Sequence, residues 1–227
     1  MIDQSEDAIA QRRYEQARPR KEAPIDPKLL DGYVGYYQLA AGPIFSITRD
    51  GGRLFAQLTG QQASEIFPES DREFFSKVVM AQITFVTDGQ GRASELVLHQ
   101  NGFDQAAKRI DEADAKSAAD NLARRIKEKI PTPGSEAALR GAIAAEQRGQ
   151  PNYDQMGEAL ALAARQQLPM IRKDFESLGA LQSVTFKGVG RGGWDVYDAQ
   201  FAGGATEWRI NLAPDGKIDG LIYRHLP

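Results

Sequence analysis

The chain contains two histidines, His99 and His225, and no cysteine, so few residues could act as a nucleophile or a base. No serine lies in a GxSxG turn or an SxxK pair, and the sequence has no YxN or KTG triplet. A Ser–His–Asp triad could still use either histidine. However, both histidines end predicted strands, and no serine occupies an exposed, strained turn. We therefore predict no catalytic residue in this chain.

The sequence also argues against a bound metal or nucleotide cofactor. Thiolate zinc sites need cysteine, and a histidine-rich site needs more than two histidines. Carboxylate pairs such as Asp195 and Asp198 lack the spacing of a calcium loop and are typical of solvated charges or caps. Residues 188–193 read GVGRGG, but this GxGxxG pattern precedes a predicted strand, whereas a dinucleotide site requires a helix there. We predict no metal and no cofactor.

A polar stretch at residues 99–102 is the first candidate for ligand binding. His99, Gln100 and Asn101 lead into Gly102, and an Asn-Gly pair accepts the positive φ angles that a tight hairpin needs. If the flanking strands belong to a barrel, these three side chains could form the polar rim of its mouth. The alternative is a strand-end histidine followed by an ordinary hairpin turn.

The second candidate is a set of aromatic residues in the second half of the chain, to which Tyr153, Tyr197 and Trp208 belong. A curved sheet covered by helices can enclose a pocket lined by such rings. The same rings could instead fill the core between sheet and helices. Tyr153, Tyr197 and Trp208 are therefore candidate ligand-binding residues, with core packing as the alternative.

Charge and hydropathy exclude further classes of protein. The chain has 227 residues, with 28 Lys and Arg against 31 Asp and Glu, which gives a net charge of −3. Nucleic-acid binding needs a basic face, so we predict no nucleic-acid partner. No apolar run approaches the ~20 residues that cross a bilayer, and the N-terminus has no apolar core. We expect neither membrane insertion nor a signal peptide.

The first half of the chain is predicted to be a leader followed by a β-barrel. Residues 1–29 form the leader or linker, with a short helix up to about residue 17 and an extended, proline-containing stretch after it. Residues 30–110 consist of short apolar runs separated by turn signals such as DGG and DGQG. Eight antiparallel strands in succession predict closure into a barrel, because closure removes exposed strand edges. The strands are expected at 33–39, 44–49, 53–59, 63–67, 73–79, 82–88, 93–100 and 104–110.

The second half changes to helical periodicity and then returns to strands. Residues 111–134 predict a connecting helix and turn, and residues 135–227 predict a separate α+β domain. Helices are expected at about 135–149 and from Asn152 or Tyr153 to about 178, with Pro169 kinking or splitting the second. About three helices should pack on a four-stranded antiparallel sheet. The four strands are expected at 181–189, 194–201, 205–212 and 217–225.

Several motifs in the predicted barrel resemble a known family. They are YVGYY at 33–37, FPESDREFF at 67–75, AQITFV at 81–86 and LVLHQNG at 96–102. These motifs are similar to the domain of unknown function DUF3471, which follows the catalytic domain of bacterial serine hydrolases of the β-lactamase and penicillin-binding-protein-like superfamily. The resemblance implies a lipocalin-like accessory barrel. Residues 137–225 resemble an additional C-terminal domain of such proteins, for which we expect a cystatin-like or NTF2-like cone.

The functional implication of this resemblance is partly negative. The serine and lysine of the family's SxxK motif and the tyrosine of its YxN motif match no position here, so no catalytic residue is carried over. The resemblance implies a non-catalytic accessory region that packs on, or shapes access to, a serine hydrolase catalytic domain present in cis or in trans. If that hydrolase is exported, a periplasmic location follows, and otherwise a cytoplasmic one.

An alternative function stays open at this stage. The chain could be a stand-alone protein that binds a small molecule or a peptide in the barrel or in the aromatic-lined α+β pocket. An exposed apolar helix face could also support a homodimer. Neither the ligand nor the oligomeric state follows from the sequence.

Overall fold

The structure, a computed structural model, describes residues 6–40 and 42–227. The chain divides into two units, of which the first ends at Ala118 and the second is Ala119–Pro227. The start of the predicted leader helix and Ala41, in the first predicted turn, lie outside the described residues. No helix in the described ranges is long and apolar enough to cross a membrane.

Eight antiparallel strands of the first unit form a closed barrel, which confirms the predicted architecture. Each strand pairs with its neighbours in sequence, and β1 pairs with β8 to close the sheet. Along each strand, residues that face the interior of the barrel alternate with residues that face outward. On β3, for example, Leu54 and Ala56 both face the interior. The strands are β1 (Gly35–Leu39), β2 (Ile44–Asp50), β3 (Arg53–Leu58), β4 (Ser64–Pro68), β5 (Glu73–Ser76), β6 (Ala81–Thr87), β7 (Ala93–Gln100) and β8 (Phe103–Ile110).

One end of the barrel is covered by a short helix, α2 (Leu30–Tyr33), that the sequence did not predict. The ring of Tyr33 stacks on Phe85, with 4.4 Å between the ring centroids. Its hydroxyl donates a hydrogen bond to the carbonyl oxygen of Asp71 at 2.6 Å. The motif YVGYY is rich in strand-forming residues. Its first residue, Tyr33, nevertheless belongs to helix α2, because its ring stacks on the core at the covered end of the barrel.

Arg109 of β8 reinforces this covered end. Its guanidinium donates to the carbonyl oxygens of Val34 at 2.9 Å and Gly32 at 2.8 Å, and to the hydroxyl of Tyr37 at 2.6 Å. The Tyr37 hydroxyl in turn donates to the carbonyl oxygen of Tyr33 at 2.6 Å. Burial raises the pKa of Tyr37 to about 12. The helix α2 is therefore tied to the barrel by a fully paired polar network.

The leader contains helix α1 (Glu6–Gln16), and this helix packs against the turn between β7 and β8. Arg12 donates to the carbonyl oxygen of Gly102 at 2.7 Å, and the backbone N–H of Gly102 donates to the Gln16 side chain at 2.7 Å. Ile9 is buried in the same contact. The sequence predicted a short helix here, and the structure adds that the helix is docked on the barrel.

The second unit contains helices and a separate four-stranded antiparallel sheet in the order β12–β11–β10–β9, as predicted. The unit boundary at Ala118 falls within helix α3. The helices are α3 (Glu112–Glu128), α4 (Ser135–Gln147) and α5 (Glu158–Leu178). The strands are β9 (Leu181–Val189), β10 (Asp195–Phe201), β11 (Gly204–Leu212) and β12 (Ile218–His225).

Helix α5 differs from the prediction at its start. Residues Tyr153–Gln155 form a single 3-10 turn, and Met156 is extended and forms a parallel bridge with Ile218. The helix begins only at Glu158, because the intervening backbone N–H of Gly157 pairs with the sheet. Pro169 lies inside α5 and does not split it. Apolar residues of α4 and α5, among them Leu139, Ile143, Phe175 and Leu178, pack on the inner face of the sheet.

Candidate functional site

The end of the barrel opposite α2 leads into a cavity of about 180 Å³. Strand β3 ends here at Leu58 and β7 ends here at Gln100, so the loops at this end surround the cavity mouth. An engineered apolar cavity of ~150 Å³ in another protein admits benzene, so one aromatic ring or branched alkyl group would fill this space. Inward-facing side chains form its apolar wall, including Phe45, Ile66, Phe74, Ile83 and Leu98.

The loop between β5 and β6 places three consecutive apolar residues in solvent beside this mouth. Val78, Val79 and Met80 are 77%, 53% and 71% exposed, and Val79 also lines the cavity. We call residues 78–80 the apolar lip. Monomeric proteins seldom present consecutive large apolar side chains to water unless that surface contacts a partner or a ligand.

The structure separates the three residues predicted to form the rim of the barrel mouth. Gln100 lines the cavity, together with polar side chains such as Gln61 and Ser76. His99 precedes Gln100 on the same strand, so its side chain is on the outer face of the barrel. Asn101 occupies the turn with a φ of 56°, and its carbonyl oxygen accepts a hydrogen bond from Arg13 of α1 at 2.9 Å.

His99 is held between two polar residues on the outer face of the barrel. Its Nδ1 lies 2.6 Å from a carboxylate oxygen of Asp104, and its Nε2 lies 2.9 Å from the Thr84 hydroxyl. The two-residue turn Asn101–Gly102 makes His99 and Asp104 cross-strand partners. Hairpin register could therefore have identified this pair from the sequence, although the Thr84 contact depends on β6.

The order hydroxyl, imidazole and carboxylate is that of a nucleophile, a base and an orienting group. Thr84, however, lies within β6 and is paired with Glu73 on one side and Val97 on the other. This position favours a structural role, in which the hydrogen bonds of Thr84, His99 and Asp104 join β6, β7 and β8, over nucleophilic chemistry. Among residues 6–40 and 42–227, no three His, Asp or Glu side chains are grouped so that they could hold a metal ion.

In the second unit, Tyr197 and Trp208 lie opposite each other on β10 and β11, and both are buried. The Tyr197 hydroxyl is hydrogen-bonded to the Ser135 hydroxyl at 2.6 Å, and burial raises the pKa of Tyr197. The Trp208 indole N–H donates to the Thr206 hydroxyl at 2.7 Å. The polar atoms of both rings are therefore paired within the core.

Tyr153, the third predicted aromatic residue, lies away from this pair. It packs beside Met156, and the Arg165 guanidinium lies 4.5 Å from the centre of its ring. The structure thus brings Tyr197 and Trp208 together as core residues and places Tyr153 in a separate, smaller cluster. These contacts favour core packing as the role of Tyr197 and Trp208.

A family model matches the part of the chain that contains the barrel. Residues 19–113 match the family described as domain of unknown function (DUF3471). A stretch of 95 residues is 30% identical to Penicillin-binding protein 4* of Bacillus subtilis (strain 168). This match covers 42% of the chain and 21% of the relative, so the similarity extends over about a fifth of that protein. Residues 19–113, which contain α2 and the eight-stranded barrel, thus match the DUF3471 family, and the two comparisons fit a domain from a β-lactamase or penicillin-binding-protein-like hydrolase.

Proposed function

We propose that this chain is a non-catalytic accessory region of a serine β-lactamase-like hydrolase, which packs on a catalytic domain or shapes access to it. The observation that carries the proposal is the DUF3471 match over residues 19–113, together with the similarity of part of the chain to a penicillin-binding protein. The sequence supports a non-catalytic role, because it contains no SxxK, YxN or KTG motif.

The apolar lip supports the proposal from the structure. Removing Val78, Val79 and Met80 from water would stabilise a contact with another domain, at roughly 25 cal/mol for each Å² of apolar surface buried. We expect the partner surface to belong to the hydrolase catalytic domain, since the relative is a much longer protein of which only about a fifth is similar to part of this chain.

The length of the natural polypeptide and the proteins that co-purify with it test this proposal. An antibody against this chain is used to purify the protein from source cells, and the product is analysed by mass spectrometry. We expect peptides that contain SxxK and YxN motifs, either in a polypeptide much larger than 24.9 kDa or in a hydrolase that co-purifies at equal amounts. A polypeptide of 24.9 kDa without such a hydrolase would contradict the proposal.

Once that catalytic domain is identified, the apolar lip can be tested directly. The double variant Val78→Asp, Met80→Asp should weaken binding to the isolated catalytic domain at least tenfold. Val86→Asp is the matched control, because Val86 is also an exposed valine but lies on β6 outside the lip. The chain alone should turn over no ester, amide or β-lactam. Turnover that His99→Ala abolishes would instead assign catalysis to the barrel.

The barrel cavity favours a second candidate function, the binding of a small apolar molecule. The observation is the apolar space of about 180 Å³ with polar groups at its mouth. Indole and toluene are suitable probes, since each presents one apolar ring, and ligand binding to the folded state should raise the Tm by a few degrees. Ala56→Leu, which places three carbons in the cavity, should abolish this shift.

Ala106→Leu is the control for that substitution, because Ala106 is exposed on the outer face of β8. Circular dichroism establishes that both variants are folded. A Tm that no probe changes, or an equal change in both variants, would exclude the barrel cavity as a ligand site.

A further inference from the structure

One carboxylate oxygen of the second unit is buried without a hydrogen-bond partner. Glu146, near the end of α4, is 8% exposed, and its Oε2 accepts no hydrogen bond. A buried polar atom without a partner is destabilising, so such atoms are uncommon in folded proteins and point to a group that is supplied from outside. No pattern in the sequence distinguishes Glu146.

Glu146 lines an open cleft of about 720 Å³ formed by the end of α4, the loop that follows it and the last turns of α5. Phe175 contributes a buried ring to the wall, and Arg148, Arg172 and Glu176 contribute charges. The guanidinium of Arg172 donates to the carbonyl oxygen of Gly149 at 2.6 Å, which holds it against the loop. The cleft is large enough for an amino acid or a molecule of similar size.

The charges of the cleft define the chemistry of its ligand. Glu146 and Glu176 are acids, whereas Arg148 and Arg172 are bases, so neither a simple anion nor a simple cation is complementary to the lining. Burial raises the pKa of Glu146, and the positive charge of Arg172 opposes that rise. A ligand with a cationic donor next to an anionic acceptor would satisfy both.

We propose that this cleft binds the zwitterionic head group of a free α-amino acid. The ammonium group donates to the carboxylate of Glu146, which must turn toward the cleft because Oε2 is shielded from solvent in this structure. The carboxylate of the ligand accepts hydrogen bonds from Arg172 and Arg148. An α-amino acid carries both charges on one carbon, which matches a cleft lined by both acids and bases. The amino-acid side chain contacts Phe175. The cleft lies outside residues 19–113, so this inference is independent of the hydrolase proposal.

Titrations of the full chain with blocked and free amino acids test the proposal. Glycine and leucine are compared with glycinamide, which lacks the carboxylate, and N-acetylglycine, which lacks the ammonium group. We expect glycine and leucine to shift the amide NMR signals of residues 146–149 and 172–180, and both blocked compounds to bind at least tenfold more weakly. Equal binding of either blocked compound, or no shift with any compound, would overturn the proposal.

Two variants locate the site. Glu146→Gln keeps the shape of the side chain but removes the anionic acceptor, and it should weaken glycine binding at least tenfold. Arg172→Met should weaken it similarly. Glu158→Gln, at the other end of α5, is the matched control and should bind like the unmodified chain. If Glu146→Gln folds normally by circular dichroism and still binds glycine with unchanged affinity, the assignment to this cleft is wrong.

Discussion

The carboxylate of Asp195 is held by the guanidinium of Arg125, which donates to it at 2.8 Å across 70 positions of sequence. Asp195 is completely buried at the start of β10, and its other oxygen accepts a hydrogen bond from the backbone N–H of Thr132 at 2.7 Å. The pair therefore joins the end of α3 and the turn after it to the sheet. From the sequence, Asp195 was interpreted as a solvated charge or a cap, and its complete burial beside Arg125 shows that it is not a solvated charge.

Removing Arg125 should strongly destabilise the second unit. A buried ion pair that loses one partner leaves an uncompensated charge, which typically costs about 3–5 kcal/mol. We expect Arg125→Met to lower the free energy of unfolding in urea by that amount. Arg124→Met is the matched control, because Arg124 is exposed on the same helix, and it should change stability by less than about 0.5 kcal/mol. Equal effects of the two variants would contradict a structural role for the pair.

The Tyr37 hydroxyl should contribute to stability in a pH-dependent way. Tyr37→Phe leaves the Arg109 donor and the Tyr33 carbonyl without this partner, so we expect a loss of about 1–3 kcal/mol at pH 8. The folded-state pKa of about 12 exceeds the ordinary value of 10.0. The protonated hydroxyl therefore stabilises the fold below pH 10, and this contribution is lost as the pH rises toward 12.

The measurement is urea unfolding of the unmodified chain and Tyr37→Phe at pH 8 and at pH 11. The difference in stability between the two proteins should shrink at the higher pH. Tyr36→Phe, one position earlier on β1, controls for the general effect of removing a hydroxyl. A difference that stays constant or grows with pH would be inconsistent with the buried network.

The effect of Glu146→Gln on stability should depend on pH in the opposite direction from the effect of removing a paired carboxylate. Burial raises the pKa of Glu146 above its ordinary value of 4.5, so the folded state favours the protonated form. The associated stability is present below pH 4.5 and is lost as the pH rises through the folded-state pKa. We therefore expect the variant to gain stability relative to the unmodified chain between pH 4 and pH 8.

Thermal unfolding across that pH range measures the effect. Glu176→Gln, an exposed residue of the same cleft, should show no such gain. If Glu146→Gln loses stability as the pH rises, relative to the unmodified chain, then the carboxylate has a favourable partner in the folded protein.

Gly102 should be needed for docking of α1. A Cβ atom at this position would lie 2.6 Å from the carbonyl oxygen of Ile9, and the φ angle of 84° is strained for other residues. We expect Gly102→Ala to increase hydrogen exchange in residues 6–16 at least tenfold. Gly89→Ala is the control, because a Cβ atom there has no neighbour within 4 Å. Unchanged exchange in Gly102→Ala would show that α1 docks without this close approach.

The barrel strands could be predicted because each apolar run ends at a local turn signal. The Asn101–Gly102 turn, for example, sets the register of β7 and β8, with Gln100 opposite Phe103. Helix α2 could not be predicted in the same way. Tyr33 belongs to a run with strong strand propensity, and its place in a helix depends on stacking against Phe85, which is distant in sequence.

The site residues were harder to predict, since their surroundings come from distant elements. Gln100 was identified as a rim residue because barrel closure makes every strand end part of a mouth. Glu146 was not identified, because its burial depends on the packing of α4 against α5, and an acidic residue late in a helix has no distinguishing pattern. Met156 lies within the helix predicted from Asn152 or Tyr153 onward, and its bridge to Ile218 is likewise a long-range contact.

The pairing of β1 with β8 has a consequence for how this barrel can be joined to other domains. Tyr36 and Ile110 are register partners, so the chain enters and leaves the barrel at neighbouring points. A module with adjacent entry and exit can be inserted into a longer polypeptide, or removed from it, without separating the flanking segments of the host. The geometry of closure is thus compatible with insertion of the barrel into polypeptides of different domain composition.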